Sequence, residues 1–130
     1  MRIIAGKLRS RQIKTLIGNS TRPTTDKVKE ALFNAIGPYF DGGVMLDMFS
    51  GSGSIAFEAL SRGMNFAVCI DSDNEAVKII NENIKNLELD KVTKLVKSDY
   101  QRALRLINDQ YKFDLVYIDP PYHYQDIEKM

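Results

Sequence analysis

The 130-residue chain has the length of one domain with a substantial core, and its composition excludes several classes of protein. With 44% hydrophobic and 27% charged residues, it is typical of neither a disordered chain nor a membrane protein. No apolar run approaches the ~20 residues of a membrane helix, and the single cysteine, Cys69, cannot form an internal disulfide. A reducing, cytoplasmic location is therefore expected.

Charge is distributed unevenly along the chain, although the net charge is only +1. Residues 1–29 carry eight basic side chains against one acid, Asp26, a balance of +7, so that the remaining residues carry −6. This asymmetry predicts an N-terminal segment that faces a polyanion, attached to a neutral-to-acidic body. A solvated basic surface without a partner is the alternative.

The first predicted elements are a hairpin and a loop. Residues 2–5 and 11–16 are short apolar and basic stretches, which predicts a loose hairpin, and residues 18–23 are rich in loop formers. We therefore divide the chain into a basic hairpin and loop, residues 1–23, and a main domain, residues 24–130.

A helix is predicted next, beginning near Thr24 or Thr25 and ending at Gly37-Pro38. The spacing of its apolar residues predicts one buried face made of Val28, Ala31, Leu32, Ala35 and Ile36.

From Gly42 onward the pattern changes to alternating strands and helices. Apolar runs predict strands at residues 44–49, 66–70, 92–96 and 113–118, with a helix after each of the first three. Such alternation indicates right-handed parallel βαβ units, and hence an α/β fold with a Rossmann-like doubly wound parallel sheet.

The helix after the second strand has two sequence signals. Ser72 and Glu75 have the spacing of a capping box, in which each side chain satisfies a free backbone N–H. Behind it, a helical stripe of apolar residues predicts a buried face, consisting of Ala76, Val77, Ile80, Ile84 and Leu87.

Glycines and acids follow the predicted strands. The first strand ends in Gly51-Ser52-Gly53, and the next three are followed by Asp71, Asp99 and Asp119. In a doubly wound sheet, ligands bind outside the carboxyl ends of the strands, so we expect a binding site there. The glycine bend allows close approach of a carboxylate or a pyrophosphate, and by itself does not choose between them.

The acids after the second and third strands have candidate roles. Asp71 lies 18 residues past Gly53, close to the ~20-residue spacing at which an acid binds a ribose diol. Asp99 is a candidate acceptor for an adenine amino group. The alternatives are structural, a helix-entry acid at Asp71 and a loop acid at Asp99, and Asp73 is interpreted as a helix N-terminal acid.

The tetrapeptide Asp119-Pro120-Pro121-Tyr122 is the most specific signal. Two prolines directly after an apolar strand end it and fix the turn. The Asp119 carboxylate and the Pro120 carbonyl could accept hydrogen bonds from both N–H groups of an exocyclic amino group. Its lone pair would then be directed toward an incoming methyl group. Tyr122 could stack on the base, a contact of roughly 1–3 kcal/mol. The alternative is a turn that only ends the strand.

No other residues indicate a different chemistry. The sequence has no His/Cys cluster with zinc-ligand spacing. His123, the only histidine, is interpreted as a residue at the rim of the site, and Cys69 as a core residue.

These residues resemble the RsmD-type 16S rRNA (guanine-N2)-methyltransferases, a branch of the class I S-adenosylmethionine-dependent enzymes. The resemblance covers nearly the whole chain. It rests on the Asp-Pro-Pro-Tyr tetrapeptide and on residues 2–7, Arg22-Pro23-Thr24, residues 30–34, residues 46–53 and residues 58–63.

The resemblance implies a set of roles. S-adenosylmethionine would lie against Asp47, Phe49, Gly51, Gly53, Asp71 and Asp99, with Asp71 on the ribose and Asp99 on the adenine. The target guanine, in ribosomal RNA or the assembling small subunit, would lie against Asp119, Pro120 and Tyr122. RNA contacts are expected from Arg2, Lys7, Arg9, Arg11, Arg22 and Thr24. No metal is implied.

The family fold continues with three further strands, so the chain is expected to be a piece that ends after strand four. The strand at 113–118 would then have an unpaired edge through which copies could associate. Two other functions stay open: methylation of adenine N6 in a nucleic acid, and a non-catalytic module that binds cofactor or RNA.

Overall fold

In the computed structural model, residues 1–16, 25–107 and 109–120 are described. They contain four helices and four strands, which alternate along the chain after the first helix: α1 (Asp26–Ile36), β1 (Val44–Met48), α2 (Ser54–Ser61), β2 (Phe66–Asp71), α3 (Asn74–Asn86), β3 (Thr93–Lys97), α4 (Tyr100–Ile107) and β4 (Leu115–Ile118). None of the described helices has both the length and the apolar character needed to cross a membrane. The predictions for Arg22, Thr24, Pro121, Tyr122 and His123 fall outside the described residues.

The four strands form one parallel sheet in the order β3-β2-β1-β4. The chain moves outward from β1 to β3 and then returns to the other side of β1, so the direction of winding reverses between β1 and β4. Helices cover both faces of the sheet. The predicted doubly wound α/β sheet is confirmed.

Alternate residues of the strands fill two separate cores. On one face, Met45, Ala67 and Cys69 pack with α2, α3 and the N-terminal segment, residues 1–16. On the other face, Leu46 and Val68 pack with α4. This division follows from the two-residue period of a strand, whose successive side chains point to opposite faces. Cys69 is fully buried, and burial raises the pKa of its thiol, as expected of a core residue.

The N-terminal segment is bound along α2. The predicted hairpin is present as a single antiparallel bridge between Arg2 and Gln12, and Ile3 and Ile13 lie in the core beside α2. Gly6 has a φ of 92° and packs so closely on the Ser61 carbonyl that a side chain at this position would overlap it. The basic segment is therefore packed onto the main body.

The predicted face of α1 is wrong, although its ends are confirmed. Thr25 is the N-cap, with its hydroxyl oxygen accepting from the Val28 N–H at 3.2 Å, and Gly37 ends the helix. The buried residues are Lys29 and Phe33, whereas Val28 is 58% exposed. The reason is that Lys29 forms an ion pair with the buried Glu58 of α2, which turns this face of α1 inward.

The predicted capping box of α3 is also wrong in its capping residue. Asp73 is the N-cap, and its carboxylate accepts from the Ala76 N–H at 3.1 Å. A carboxylate here also gains from the positive end of the helix dipole, which a serine hydroxyl would not. The predicted apolar stripe of α3 is confirmed for its fully buried members, Ala76, Ile80, Ile84 and Leu87.

Strand β4 lies at one end of the sheet. It pairs with β1 on one side, and the described residues place no strand on its other side. Val116 is 49% and Ile118 48% exposed. Among the described residues the apolar edge of β4 is unpaired, as predicted, and association of copies through it stays a prediction.

Candidate functional site

The carboxyl ends of the strands form a rim that carries the glycine bend, defined here as residues 49–53, and the predicted acids. Met48 of β1 pairs with Ile70 of β2 on one side and with Ile118 of β4 on the other. The next residues in each strand, Phe49, Asp71 and Asp119, therefore stand at the same level of the sheet. Register alone brings together groups that are 70 residues apart in sequence.

The bend is held in a conformation that favours glycine. Gly51 and Gly53 have φ angles of 64° and 84°, in the left-handed region, and Gly53 leads directly into α2. A Cβ on Gly53 would lie 2.5 Å from the buried Phe57 ring. A Cβ on Gly51 would meet no atom within 4 Å, so Gly51 faces open space at the rim. The two glycines thus serve different purposes, tight packing at Gly53 and an open cradle at Gly51.

Asp47 is a buried carboxylate beneath the bend. Its Oδ2 accepts from the Ser50 hydroxyl at 2.9 Å and from the Ala56 N–H at 3.3 Å. Its Oδ1 is buried and has no hydrogen-bond partner among the described residues. Burial, the largest cause, and the nearby charges of Asp71 and Asp119 together raise its pKa to about 7, against the two hydrogen bonds that lower it. The charges of Asp71 and Asp119 at the rim therefore act on the buried Asp47.

Asp47 makes the stability of the fold depend on pH. Its pKa of about 7 in the folded protein is above the ordinary value of 3.8, so its contribution to stability is present below pH 4 and is lost as pH rises through 7. We expect the free energy of unfolding to fall by roughly 2–3 kcal/mol between pH 5 and pH 8 from this group.

Asp47→Asn tests this expectation, because an amide resembles the protonated acid and does not ionise. In urea denaturation over that pH range, the variant is expected to be more stable than the wild type at pH 8 and to lack this part of the pH dependence. An unchanged pH profile in the variant would contradict the assignment.

Asp71 braces the bend. Its Oδ2 accepts from the Gly51 N–H at 2.9 Å, and its Oδ1 accepts from the Asp73 N–H at 3.0 Å. These contacts favour the structural role that the sequence left open. Each oxygen retains a second lone pair, so the predicted ribose role is compatible with this geometry and stays a prediction.

Asp99 caps α4, because its Oδ1 accepts from the Arg102 N–H at 2.8 Å. Its predicted adenine contact stays a prediction. The neighbouring Tyr100 was not identified from the sequence, and its ring lies 5.6 Å from that of Phe49, between centroids. The two rings join the bend to the start of α4 and provide an apolar surface beside Asp99. The sequence feature that could have identified Tyr100 is an aromatic residue directly after the acid that follows a strand.

Only half of the Asp-Pro-Pro-Tyr tetrapeptide is described. Asp119 is exposed and Pro120 half-buried, directly after β4. The register of β1 with β4 places Asp119 at the level of Phe49, where the bend begins. The predicted site residues Asp47, Asp71 and Asp119 are thus brought together by the fold.

The predicted RNA-binding side chains are at the surface of the N-terminal segment. Lys7 and Arg9 are exposed. Arg2 pairs with Asp26 at 3.6 Å, and Arg11 donates from Nη2 to the Asn86 carbonyl at 2.6 Å. Arg2 and Arg11 are therefore bound to other parts of the protein, whereas Lys7 and Arg9 are exposed to solvent.

Three buried polar residues were not identified from the sequence as part of this arrangement: Lys29, Glu58 and Asn83. Glu58 accepts from the Ile4 and Ala5 N–H groups at 2.9 and 3.1 Å, and pairs with Lys29 at 3.2 Å and Arg62 at 2.7 Å. Asn83 lies on the apolar stripe of α3 and is buried. The sequence feature that could have identified Asn83 is an amide side chain on an otherwise apolar helical stripe.

A parallel sheet in this order, with a glycine bend after β1 and acids at the ends of β2 and β4, is a Rossmann-like arrangement of the kind that the class I methyltransferases have. Solved structures agree. The Escherichia coli protein yhhF, provisionally named a methyltransferase, superposes with a TM-score of 0.79 at 32% identity, over 99% of this chain and 70% of that one.

The sequence relatives narrow this class to a family. The model of Conserved hypothetical protein 95 matches residues 1–130, and the chain belongs to that family, the RsmD family. Bacillus subtilis (strain 168) YlbH, provisionally named an rRNA methyltransferase, is 45% identical over all of this chain and 71% of its own length. Ribosomal RNA small subunit methyltransferase D of Haemophilus influenzae is 35% identical over 99% of this chain and 67% of its own.

Proposed function

We propose that this chain carries the cofactor site and part of the catalytic site of an S-adenosylmethionine-dependent methyltransferase that modifies the N2 amino group of a guanine in 16S ribosomal RNA. The observation that carries the proposal is the placement of Asp119-Pro120 at the same rim as the glycine bend and Asp47. Membership in the RsmD family supports the substrate class.

The described residues fit the cofactor. S-adenosylmethionine has a sulfonium and an ammonium group, and Asp71 stands at the rim above the buried Asp47. The open space beside Gly51 and the unpartnered Oδ1 of Asp47 fit a ligand that approaches the bend closely and donates a hydrogen bond. When bound, the cofactor supplies an electrophilic methyl group.

The chain's own residues would act by orientation and electrostatics. A guanine amino group is a weak nucleophile because its lone pair is delocalised into the ring. The Asp119 carboxylate and the Pro120 carbonyl would accept hydrogen bonds from its two N–H groups and so direct the lone pair at the methyl group. The nitrogen becomes acidic once it is alkylated, and its proton then leaves to solvent without a strong base. Tyr122 is proposed to stack on the base.

The two glycines separate folding from cofactor binding. Gly51→Ala is expected to lower the free energy of unfolding by only about 1 kcal/mol, the cost of a left-handed backbone, and to weaken cofactor binding about tenfold or more, because the new methyl group enters the open cradle. Gly53→Ala is expected to cost about 2–4 kcal/mol of stability through overlap with Phe57. Urea denaturation and calorimetry with S-adenosylmethionine measure both. Equal effects of the two substitutions on stability and on binding would contradict this division.

RNA binding by the basic segment predicts a strong salt dependence. Neutralising phosphates releases counterions, so log affinity falls linearly with log salt concentration. Arg9→Ala together with Arg11→Ala is expected to flatten the slope by about one for each phosphate that is no longer neutralised. Arg105→Ala, on α4 at the opposite face of the sheet, removes charge elsewhere and is the control. An unchanged slope in the double variant would favour the solvated surface as the role of this segment.

Product analysis tests the proposed reaction. 16S rRNA transcripts and small ribosomal subunits are incubated with the protein and S-adenosylmethionine, digested to nucleosides and analysed by mass spectrometry. N2-methylguanosine is the expected product. N6-methyladenosine would support the alternative adenine specificity, and cofactor binding in calorimetry without any methylated nucleoside would support a non-catalytic binding module. The same assay with a lengthened chain tests whether these 130 residues suffice.

A further inference from the structure

Two buried polar side chains join the N-terminal segment to the glycine bend and its continuation into α2. One, Asn83, reaches the bend at Ser52. The other, Lys29, reaches Ser54, the first residue of α2. The proposed reaction uses neither residue.

Asn83 forms a bridge with its amide. Its Oδ1 accepts from the Lys14 N–H at 2.8 Å, and its Nδ2 donates to the Lys14 carbonyl at 3.0 Å and to the Ser52 carbonyl at 3.0 Å. The side chain is 1% exposed. Both amide protons are therefore used, one for the N-terminal segment and one for the bend.

Lys29 forms a second bridge with its ammonium group. Its Nζ donates to the Arg2 carbonyl at 2.7 Å and to the Ser54 hydroxyl at 3.0 Å, and lies 3.2 Å from Glu58 Oε1. An ammonium group has three donors, and all three are directed at these acceptors. Burial lowers the pKa of Lys29, and the Glu58 carboxylate opposes this shift.

Buried polar groups of this kind define one relative position of the parts they join, because any displacement leaves a donor or acceptor unpaired at a cost of about 1–3 kcal/mol. Here the parts are the segment that carries Lys7 and Arg9 and the bend that carries Gly51. A ligand that orders one part reduces the cost of ordering the other.

We propose that Asn83 and Lys29 are positioning residues that couple cofactor binding at the glycine bend to RNA binding by the N-terminal segment. This inference rests on the proposed function, since it takes the cofactor and the RNA as the two ligands. Coupling of this kind is reciprocal, so that RNA strengthens cofactor binding by the same factor as cofactor strengthens RNA binding.

The coupling factor is measured with S-adenosylhomocysteine, which binds without methyl transfer, and a 16S rRNA transcript. Calorimetry gives the Kd of S-adenosylhomocysteine with and without saturating RNA, and filter binding gives the reverse pair. For the wild-type chain we expect each ligand to tighten the other about fivefold or more. Asn83→Ala and Lys29→Met are each expected to bring the factor toward one.

Glu82→Gln is the matched control. It removes the exposed ion pair between Lys14 Nζ and Glu82, 3.2 Å apart, which joins the same segment to α3 but does not reach the bend. We expect its coupling factor to equal that of the wild type. Circular dichroism identifies variants that fail to fold, and Asn83→Gln, which keeps the amide on a longer side chain, replaces Asn83→Ala in that event.

The outcomes separate the inference from the proposed function. Failure of the wild-type chain to bind either ligand overturns the proposed function and the coupling with it. Binding of both ligands with a coupling factor of one overturns the coupling alone. If the Asn83 and Lys29 variants fold with lower stability but keep the full coupling factor, these residues have a purely structural role. That result also overturns the proposed coupling.

Discussion

Asp119→Ala is expected to reduce methylation about 100-fold or more while the affinity for S-adenosylmethionine changes little. The carboxylate accepts a hydrogen bond from an N–H of the attacking amino group and stabilises the positive charge that develops on the nitrogen, and removal of one such group costs about 10²–10³ in rate. Asp119 is exposed at the end of β4 and accepts no hydrogen bond that holds the described fold, so stability is expected to be preserved. Single-turnover methylation and calorimetry measure the two effects.

Two further measurements sharpen this test. Asp119→Asn keeps an acceptor oxygen without the charge and is expected to fall between alanine and the wild type. Both variants remove a charge that raises the pKa of Asp47, so the pH profile of stability should shift downward in each. Undiminished turnover by the alanine variant would remove Asp119 from the mechanism, whatever the pH profile shows.

Glu58→Ala is expected to lower the free energy of unfolding by about 3–5 kcal/mol, the usual cost of removing one partner from a buried ion pair. Glu58 is fully buried between Lys29 and Arg62. Without it, the two cations face each other in the core, and the Ile4 and Ala5 N–H groups have no acceptor. A loss of this size is a large share of the 5–15 kcal/mol that stabilises a typical domain. Urea denaturation at pH 7 measures it.

Glu82→Ala is the control for Glu58→Ala, because it breaks an ion pair between the same N-terminal segment and the body at the surface. Lys14 and Glu82 are 57% and 36% exposed at the side chain, and a pair of this kind contributes about 0–1 kcal/mol. A small effect at Glu58, similar to that at Glu82, would mean that the buried network does not hold the N-terminal segment.

Much of the rim could be predicted from sequence because it depends on local rules. An apolar run that ends in glycine or aspartate marks the end of a strand, and parallel strands place those ends together. The positions of Asp47, Asp71 and Asp119 followed from this rule and from the family resemblance. What Asp71 contacts did not follow, because it accepts from the Gly51 N–H, which lies 20 residues away in sequence and which only the folded chain brings near.

The errors over which polar residues are buried have one cause. The buried face of α1 was predicted from its apolar residues alone. Lys29 was not included, because a lysine without a partner is rarely buried. Its burial depends on Glu58, 29 positions away, and on the Arg2 carbonyl. Asn83 was passed over for the same reason, because its partners lie at Lys14 and Ser52.

The sequence by itself determined the strands and helices, the α/β sheet and the acids at its rim, because apolar periodicity and chain direction are properties of short segments. The tertiary structure alone decided which polar groups are buried and what they join, because a buried charge or amide is stable only beside partners brought in from distant segments. The attachment of the basic segment to the glycine bend through Asn83 and Lys29 belongs to this second kind.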